Sequence, residues 1–435
     1  MLTGFAEKRL DDGIDFTMGG MFIHYKPDYV LSPLFASAWA YDSDDGGFIW
    51  VSVDLIVVSE PMCEEIRKKV RAILPDAPET IIISATHTHT APNTAIASVY
   101  YPTGDRSYLD TIWQRTAEAC KAAWEDLSES EMSFARCDVP ECTHNRRYLM
   151  ESGKSMMHPG GPDFPGRLLK EGPEDPELYA IWFLKNDKPA AIIVNYQAHA
   201  SILYGMHFVS ADFPGEIRRV LKGVYGDIPI LYLQGSCGNT TPIDHEHDAT
   251  WGSGIDGSRR TGEVLAANVI RLVALTREKT ASAIFRYACS TVELDWRETD
   301  PEDETRCEAI MKLFYEDEAA FNALSTADKA LANKVLLMKE KRKDPHYLMP
   351  VSAMRLGELL FTMNTAEYFV EFQLAIKKRL GGGFLPCASI TNGWCTYLPT
   401  KQAYLLKGYE VDQGLFTWDA GEKVENEIVR LAQSL

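Results

Sequence analysis

The β-branched run Ile81-Ile82-Ile83 gives way within a few residues to His87-Thr88-His89-Thr90-Ala91. Such a run reads as a buried strand, and two imidazoles at i and i+2 just beyond it stand where that strand leaves its sheet. Side chains alternate across a strand, so this spacing directs both rings to one side, into whatever pocket the strand end borders. Histidine-x-histidine is a common way to offer nitrogen ligands to zinc, but a catalytic zinc needs a third protein ligand and an open position. The fold therefore has to bring further ligands to the same sheet edge.

Candidates are found at other strand ends. The apolar stretch 190–196 reads as a buried strand and runs into Gln197-Ala198-His199-Ala200-Ser201, which places His199 as His87 is placed. Glu367 follows the strand 359–363 at the turn Asn364-Thr365-Ala366, before a helix. A carboxylate there is either a helix-start acid favoured by the dipole or a ligand facing the same edge, and spacing leaves the two readings level.

The wider pattern is strand, helix, strand over 48–58, 61–74 and 81–85, the length a parallel crossover needs. Further strands are expected at 132–137, 179–184 and 228–233, and helices at 108–127, 212–221 and 262–274. Residues 297–342 carry acids first, lysines last and apolar residues at helical spacing between, which predicts a helical hairpin inserted between sheet elements. Strand returns at 354–363, a helix at 368–380 stops at Gly381-Gly382-Gly383, and 384–398 reads as extended. No internal repeat is visible. The expected fold class is α/β, a mixed β-sheet core flanked by helices with a helical insertion over 297–345, all within one catalytic domain spanning 1–435.

The 435 residues are 46% hydrophobic and 24% charged, ordinary globular values. A formal charge of −18 repels phosphate backbones and anionic membranes, which argues against a nucleic-acid partner. No stretch is long and apolar enough for a transmembrane segment, and the first nine residues are charged where a signal peptide has its apolar core. The chain as given reads as cytoplasmic, or as secreted if a leader has been removed. Nine cysteines without paired metal spacing read as reduced, mostly buried thiols.

Several residues admit two readings. His158, in the loop 150–172, is a ligand or part of a surface connection; His245-Glu246-His247-Asp248 is a second metal site or a solvated loop. Cys237 is a thiol nucleophile or a buried inert cysteine. Asp54 and Asp212 are catalytic acids or partners of the histidines, Asp212 equally well a helix cap; Arg146-Arg147 is functional or surface charge. Val99-Tyr100-Tyr101-Pro102 lines an acyl-chain channel or packs in a core.

Taken together, the motifs resemble the neutral/alkaline ceramidase family, specifically its N-terminal catalytic domain. Thr86-His87-Thr88-His89-Thr90-Ala91-Pro92 is similar to its THTHSGP motif, residues 195–201 to its NFxxHPTS segment, and 209–215 to the S-x-D-x-x-G that comes next. Gly238-Asn239-Thr240-Thr241-Pro242 resembles GDVSP, Thr365-Ala366-Glu367 stands where the family has PGE, and 392–400 resembles N-x-Y-x-x-Y-x-x-T, with Tyr404 and Gly408-Tyr409-Glu410 continuing the match. The motifs are collinear over nearly the whole chain.

The resemblance implies a zinc-dependent amidase fold. It assigns zinc to His87, His199, Glu367 and Tyr397, catalytic contact with substrate or oxyanion to His89, Arg146 and Tyr397, and substrate binding to Thr241 and Arg146. It further implies hydrolysis of an amide in a small-molecule or lipid-like N-acyl substrate through an activated water. Thr241 replaces the family's serine, Asn239 its aspartate, Ala366 its glycine and Ala200 its proline. Family members that cleave ceramide are typically secreted and carry a C-terminal immunoglobulin-like domain; the chain as given has neither feature. Left open beside this are a zinc hydrolase of an ester, lactone or sugar derivative, and a metal- or ligand-binding homologue without catalysis.

Overall fold

In the computed structural model, which describes residues 1–19, 25–94 and 107–435, three sheets repeat one strand order. The first contains β1 (Leu2–Arg9), β2 (Phe35–Ser43), β3 (Gly46–Val53) and β4 (Thr80–Ala85). The first three strands form an antiparallel meander, and β4 lies parallel to β3 after a crossover through α1 (Glu60–Ile73). Helix α2 (Ser107–Glu125) closes the unit by packing on α1.

The second unit repeats this with β5 (Glu131–Asp138), β6 (Glu177–Lys185), β7 (Lys188–Tyr196), α3 (Asp212–Tyr225), β8 (Ile230–Gln234) and the closing α4 (Gly254–Leu275). The third unit begins with β9 (Phe285–Asp295), which is followed by α5 (Pro301–Glu316), α6 (Glu318–Ala323) and α7 (Thr326–Lys341). It resumes with β10 (His346–Leu356), β11 (Leu359–Asn364), α8 (Val370–Arg379), the short β12 (Cys387–Ala388) and α9 (Ala420–Gln433). This threefold repetition has no counterpart in the residues. A topology fixes where apolar faces and turns fall, and many sequences satisfy that pattern.

One face of each sheet meets the other two in a shared aromatic core. Trp39 sits 6.4 Å from Trp50 of its own sheet, 5.3 Å from Phe183 of the second and 6.2 Å from Phe361 of the third, ring to ring. The opposite faces are covered by helices: α1 and α2 through Ile66, Val70 and Ile112, α3 and α4 through Ile217, Leu221 and Leu265, and α8 and α9 through Ile376, Val424 and Ile428. Burial on both faces explains why these strands read as apolar runs and not as alternations.

The pairing directions also place the site. In each unit the first, third and fourth strands run the same way, so their C-terminal ends share one edge, and the connection from first to second strand leaves from that edge. The long connections 139–176 and 296–345 therefore sprout where His87, His199 and Glu367 emerge.

Four local expectations are corrected. Residues 54–58 do not continue β3, because Asp54 takes the Phe35 N–H (2.8 Å) and Arg218 Nη1 (2.8 Å), turning the chain out of the sheet. The stretch 354–363 is two strands folded back at Gly357, whose φ of +60° suits the turn. The inserted hairpin contains a third helix, α6, whose N-cap Asp317 accepts from Ala320 N. Only the two-residue strands Cys387–Ala388 and Tyr397–Leu398 of 384–398 are extended, since Ile390, Asn392 and Thr396 adopt positive φ. Residues 99–102 lie outside the described residues.

Candidate active site

The three strand ends converge. His87 follows β4, His199 follows β7 and Glu367 follows β11, and all three side chains are buried. The rings of His87, His89 and His199 form a triangle with centroids 4.4 to 5.0 Å apart. Strand alternation is not what aims the first two, because β4 ends at Ala85 and His87 takes φ +67°. That left-handed turn is held by His87 N–H donating to Leu55 O (3.0 Å) and Nδ1 donating to Ile56 O (2.6 Å), so the segment 54–58 serves as its cradle.

With Nδ1 committed to a carbonyl, Nε2 is the ring nitrogen left to serve the site. This atom faces Glu367 Oε2 at 3.4 Å, and both are buried without a hydrogen-bond partner. Buried polar atoms are usually satisfied, and a facing pair of orphans, one nitrogen and one carboxylate oxygen, fits the donor chemistry of a cation site. His199 adds to it. Its Nδ1 lies 3.1 Å from the Cys237 carbonyl and its Nε2 lies 3.0 Å from His89 Nε2. Burial, with Arg146, His87 and His89 nearby, holds its pKa well below the usual value, which keeps the imidazole neutral, as a ligand must be.

Burial works against the Glu367 charge, but His87, Tyr397 and Trp394 more than offset it and hold its pKa at about 2. Trp394 Nε1 donates to Glu367 Oε1 at 3.1 Å. The Tyr397 hydroxyl accepts from Arg146 Nη2 (3.3 Å); burial, and then Glu367, push its pKa well up, so it remains protonated.

Arg146 and Arg147 are buried, which excludes the surface-charge reading. Arg146 Nε and Arg147 Nη1 donate to the two oxygens of Glu410, at 2.8 and 2.5 Å. Burial opposes the Arg146 charge, and Tyr397 and Glu410 outweigh it, so the guanidinium stays positive beside Tyr397. Glu410 belongs to the last motif of the resemblance without a role there; in the structure it anchors Arg146, which lines the cavity, together with Arg147 behind it.

A cavity of about 620 Å³ opens over these groups. His87, His89, Arg146, Glu367 and Tyr397 line it, with Ile56, Val57, Ile202, Trp394 and Leu337 as apolar wall. Thr241 is not among its lining residues; it lies in a two-residue ladder with His144, and its hydroxyl accepts from Ile243 N–H (3.3 Å). Asp212 supports the His199 segment by accepting from Leu203 N–H (3.0 Å).

Cys237 was weighed as nucleophile or inert thiol, yet a ligand atom of it lies within 4.8 Å of one from each of His87 and His199. Burial, then Glu367, raise its pKa well above the usual value, which argues against a free nucleophilic thiolate. The loop 244–248 divides: His247 is exposed and bonded to Asp244 Oδ2 (2.8 Å), whereas His245 turns inward to His158 and both line the cavity.

No family model matches the sequence, and no curated relative does. Solved structures do. The neutral ceramidase of Pseudomonas aeruginosa superposes with a TM-score of 0.74 at 15% identity, over 99% of this chain and 74% of that one. A structure described as ceramidase complexed with C2 gives 0.72, with the same identity and coverage. The chain has the neutral ceramidase fold. Among the described residues no helix is long and apolar enough to cross a membrane.

Proposed function

We propose that the protein is a zinc-dependent amidohydrolase that cleaves the amide bond of an N-acyl, lipid-like substrate with water. The observation that carries this reading is the pair of sealed, partnerless atoms His87 Nε2 and Glu367 Oε2, 3.4 Å apart, beside the neutral ring of His199. His87, His199, Glu367 and Tyr397 would hold the ion, a nitrogen and oxygen set that suits zinc over calcium. When bound, zinc supplies a Lewis acid that polarises a carbonyl and acidifies water.

The remaining work falls to side chains. Arg146 is fixed by Glu410 and faces the Tyr397 hydroxyl, so a positive charge and an O–H lie where negative charge develops on the carbonyl oxygen, with no reorganisation needed during reaction. His89 Nε2, 3.0 Å from His199 Nε2, is placed to take the proton of attacking water and return it to the departing nitrogen. The apolar wall over these groups excludes bulk water and receives the acyl chain. The ceramidases that share the fold act on an amide by name, which supports the reaction class.

The test is release of fatty acid from N-acyl amides by protein stripped with a chelator and reloaded with zinc or with calcium. Zinc should restore turnover and calcium should not. Turnover that survives stripping, or turnover of acyl esters alone, removes the proposal.

A further inference from the structure

A second histidine pair that lines the cavity, His158 and His245, is not used by that mechanism. His245 Nδ1 lies 3.1 Å from the Gly160 carbonyl, and His245 Nε2 lies 2.6 Å from His158 Nδ1. A carbonyl only accepts, so His245 carries its proton on Nδ1 and its lone pair on Nε2. His158 then has to donate from Nδ1, which leaves the His158 lone pair on Nε2. Burial first, then Arg146 and His245, hold His158 well below the usual imidazole pKa, and burial lowers that of His245, which favours the neutral rings this proton order needs. Among the described residues Nε2 of His158 has no hydrogen-bond partner, and it is absent from the sealed orphan atoms, so it keeps access to the cavity its ring lines.

The backbone is arranged to present this ring. His158 takes φ +51°, a conformation that costs a non-glycine residue free energy and is kept where surroundings enforce it. Its N–H donates to Arg146 O (3.0 Å). Arg146 therefore grips the centre with its guanidinium and His158 with its main chain. Of the histidines, only His87 and His158 adopt positive φ among the described residues, and both face this cavity.

We propose that His158, held by His245 as a positioning residue, is a specificity-determining hydrogen-bond acceptor that reads an uncharged O–H or N–H on the amine half of the substrate. This rests on the N-acyl reading above: a hydrocarbon acyl half offers no donor, so a donor that meets this lone pair belongs to the amine. A carboxylate there would face a lone pair instead of a proton.

Binding to the metal-stripped protein is the readout, so failure of hydrolysis, which would sink the amidase reading, does not touch this one. Affinities are measured by calorimetry for N-octanoylethanolamine, for N-octanoylpropylamine, in which a methyl replaces the hydroxyl, and for N-octanoylglycine. Wild type should favour the ethanolamide over the propylamide by about 3- to 10-fold, the worth of one neutral hydrogen bond, and should bind the glycine conjugate more weakly than the ethanolamide. His158→Phe and His245→Phe should lose the preference through weaker ethanolamide binding, with propylamide affinity unchanged. His245→Gln, whose Oε1 still accepts from His158 Nδ1, should keep it. Equal affinities in wild type, a preference that persists in His158→Phe, or tighter binding of the glycine conjugate overturns the proposal. The wild-type comparison stands even where a variant fails to fold.

Discussion

His87, His199 and Glu367 stand on strand ends backed by sheets that are buried on both faces, whereas His158 and Leu337 reach the same cavity from connections the sheets do not require. The first group cannot move without disturbing a shared aromatic core. The insertion keeps a small cluster of its own, Cys307, Ile310, Phe321, Ala332 and Val335, although Leu337 belongs to the third unit's core cluster with Tyr368, Phe369 and Tyr397. The difference teaches that the floor of strand-end groups is tied to the fold, while the wall beside it is built on connections whose length and sequence the sheets do not dictate.

The largest expected effect breaks the floor. His87→Ala and His199→Ala should each lose stoichiometric zinc by elemental analysis and fall to the activity of stripped protein, with melting otherwise cooperative. Zinc retained in both variants would remove these ligands and the comparison with them.

Glu410→Gln tests how deep the floor extends. It replaces the carboxylate shared by Arg146 and Arg147 with a neutral amide, while Arg147 keeps Glu171. Removing one partner of a buried ion pair costs about 3–5 kcal/mol, which thermal melting should register together with a fall in kcat. A change confined to KM would mean that Arg146 belongs to substrate recognition alone.

The contrast between floor and wall is also one of legibility. His87 and His199 stand out in the sequence because apolar runs announce strands and both histidines follow one, while Glu367 and Tyr397 enter through the collinear motifs. Strand alternation does not account for how His87 and His89 are aimed, since a left-handed turn at His87 does this and no pleat does. Glu410 was visible only as a motif member, because partnering two arginines more than 260 positions away is a tertiary fact. The threefold unit was illegible for the same reason. His158 and His245 were each judged alone, and what gives them meaning is the proton order across Gly160, His245 and His158.

A smaller effect sharpens the floor. Trp394→Phe keeps the ring in the apolar wall and deletes the N–H that orients Glu367 Oε1. Losing such a supporting bond should weaken zinc by about 10- to 100-fold in competition with a chelator, with little change in KM at saturating metal.

On the wall beside it, Leu337→Ala should raise KM for long acyl chains a few-fold, roughly the worth of one or two methylenes, and leave zinc affinity alone. Its cost in stability, about 2–4 kcal/mol for a buried leucine, should appear in melting. A matching loss of zinc would show that the insertion and the floor are one structure.

The smallest effect belongs to Thr241, which sits in the two-residue ladder with His144 outside the cavity lining. The resemblance gives it a place at the substrate, but its hydroxyl is occupied by the Ile243 N–H and its side chain is not part of the cavity lining. Thr241→Ser keeps that hydroxyl and removes one buried methyl, so stability should fall by about 1 kcal/mol while kcat/KM changes by less than about 2-fold. Thr241→Val keeps the shape, removes the acceptor and leaves the Ile243 N–H without its partner, so it should cost about 1–2 kcal/mol and still spare kcat/KM. If either variant lowered kcat/KM tenfold with zinc retained, that ladder would have to enter the catalytic floor, because a residue confined to main-chain support cannot discriminate between ground and transition states.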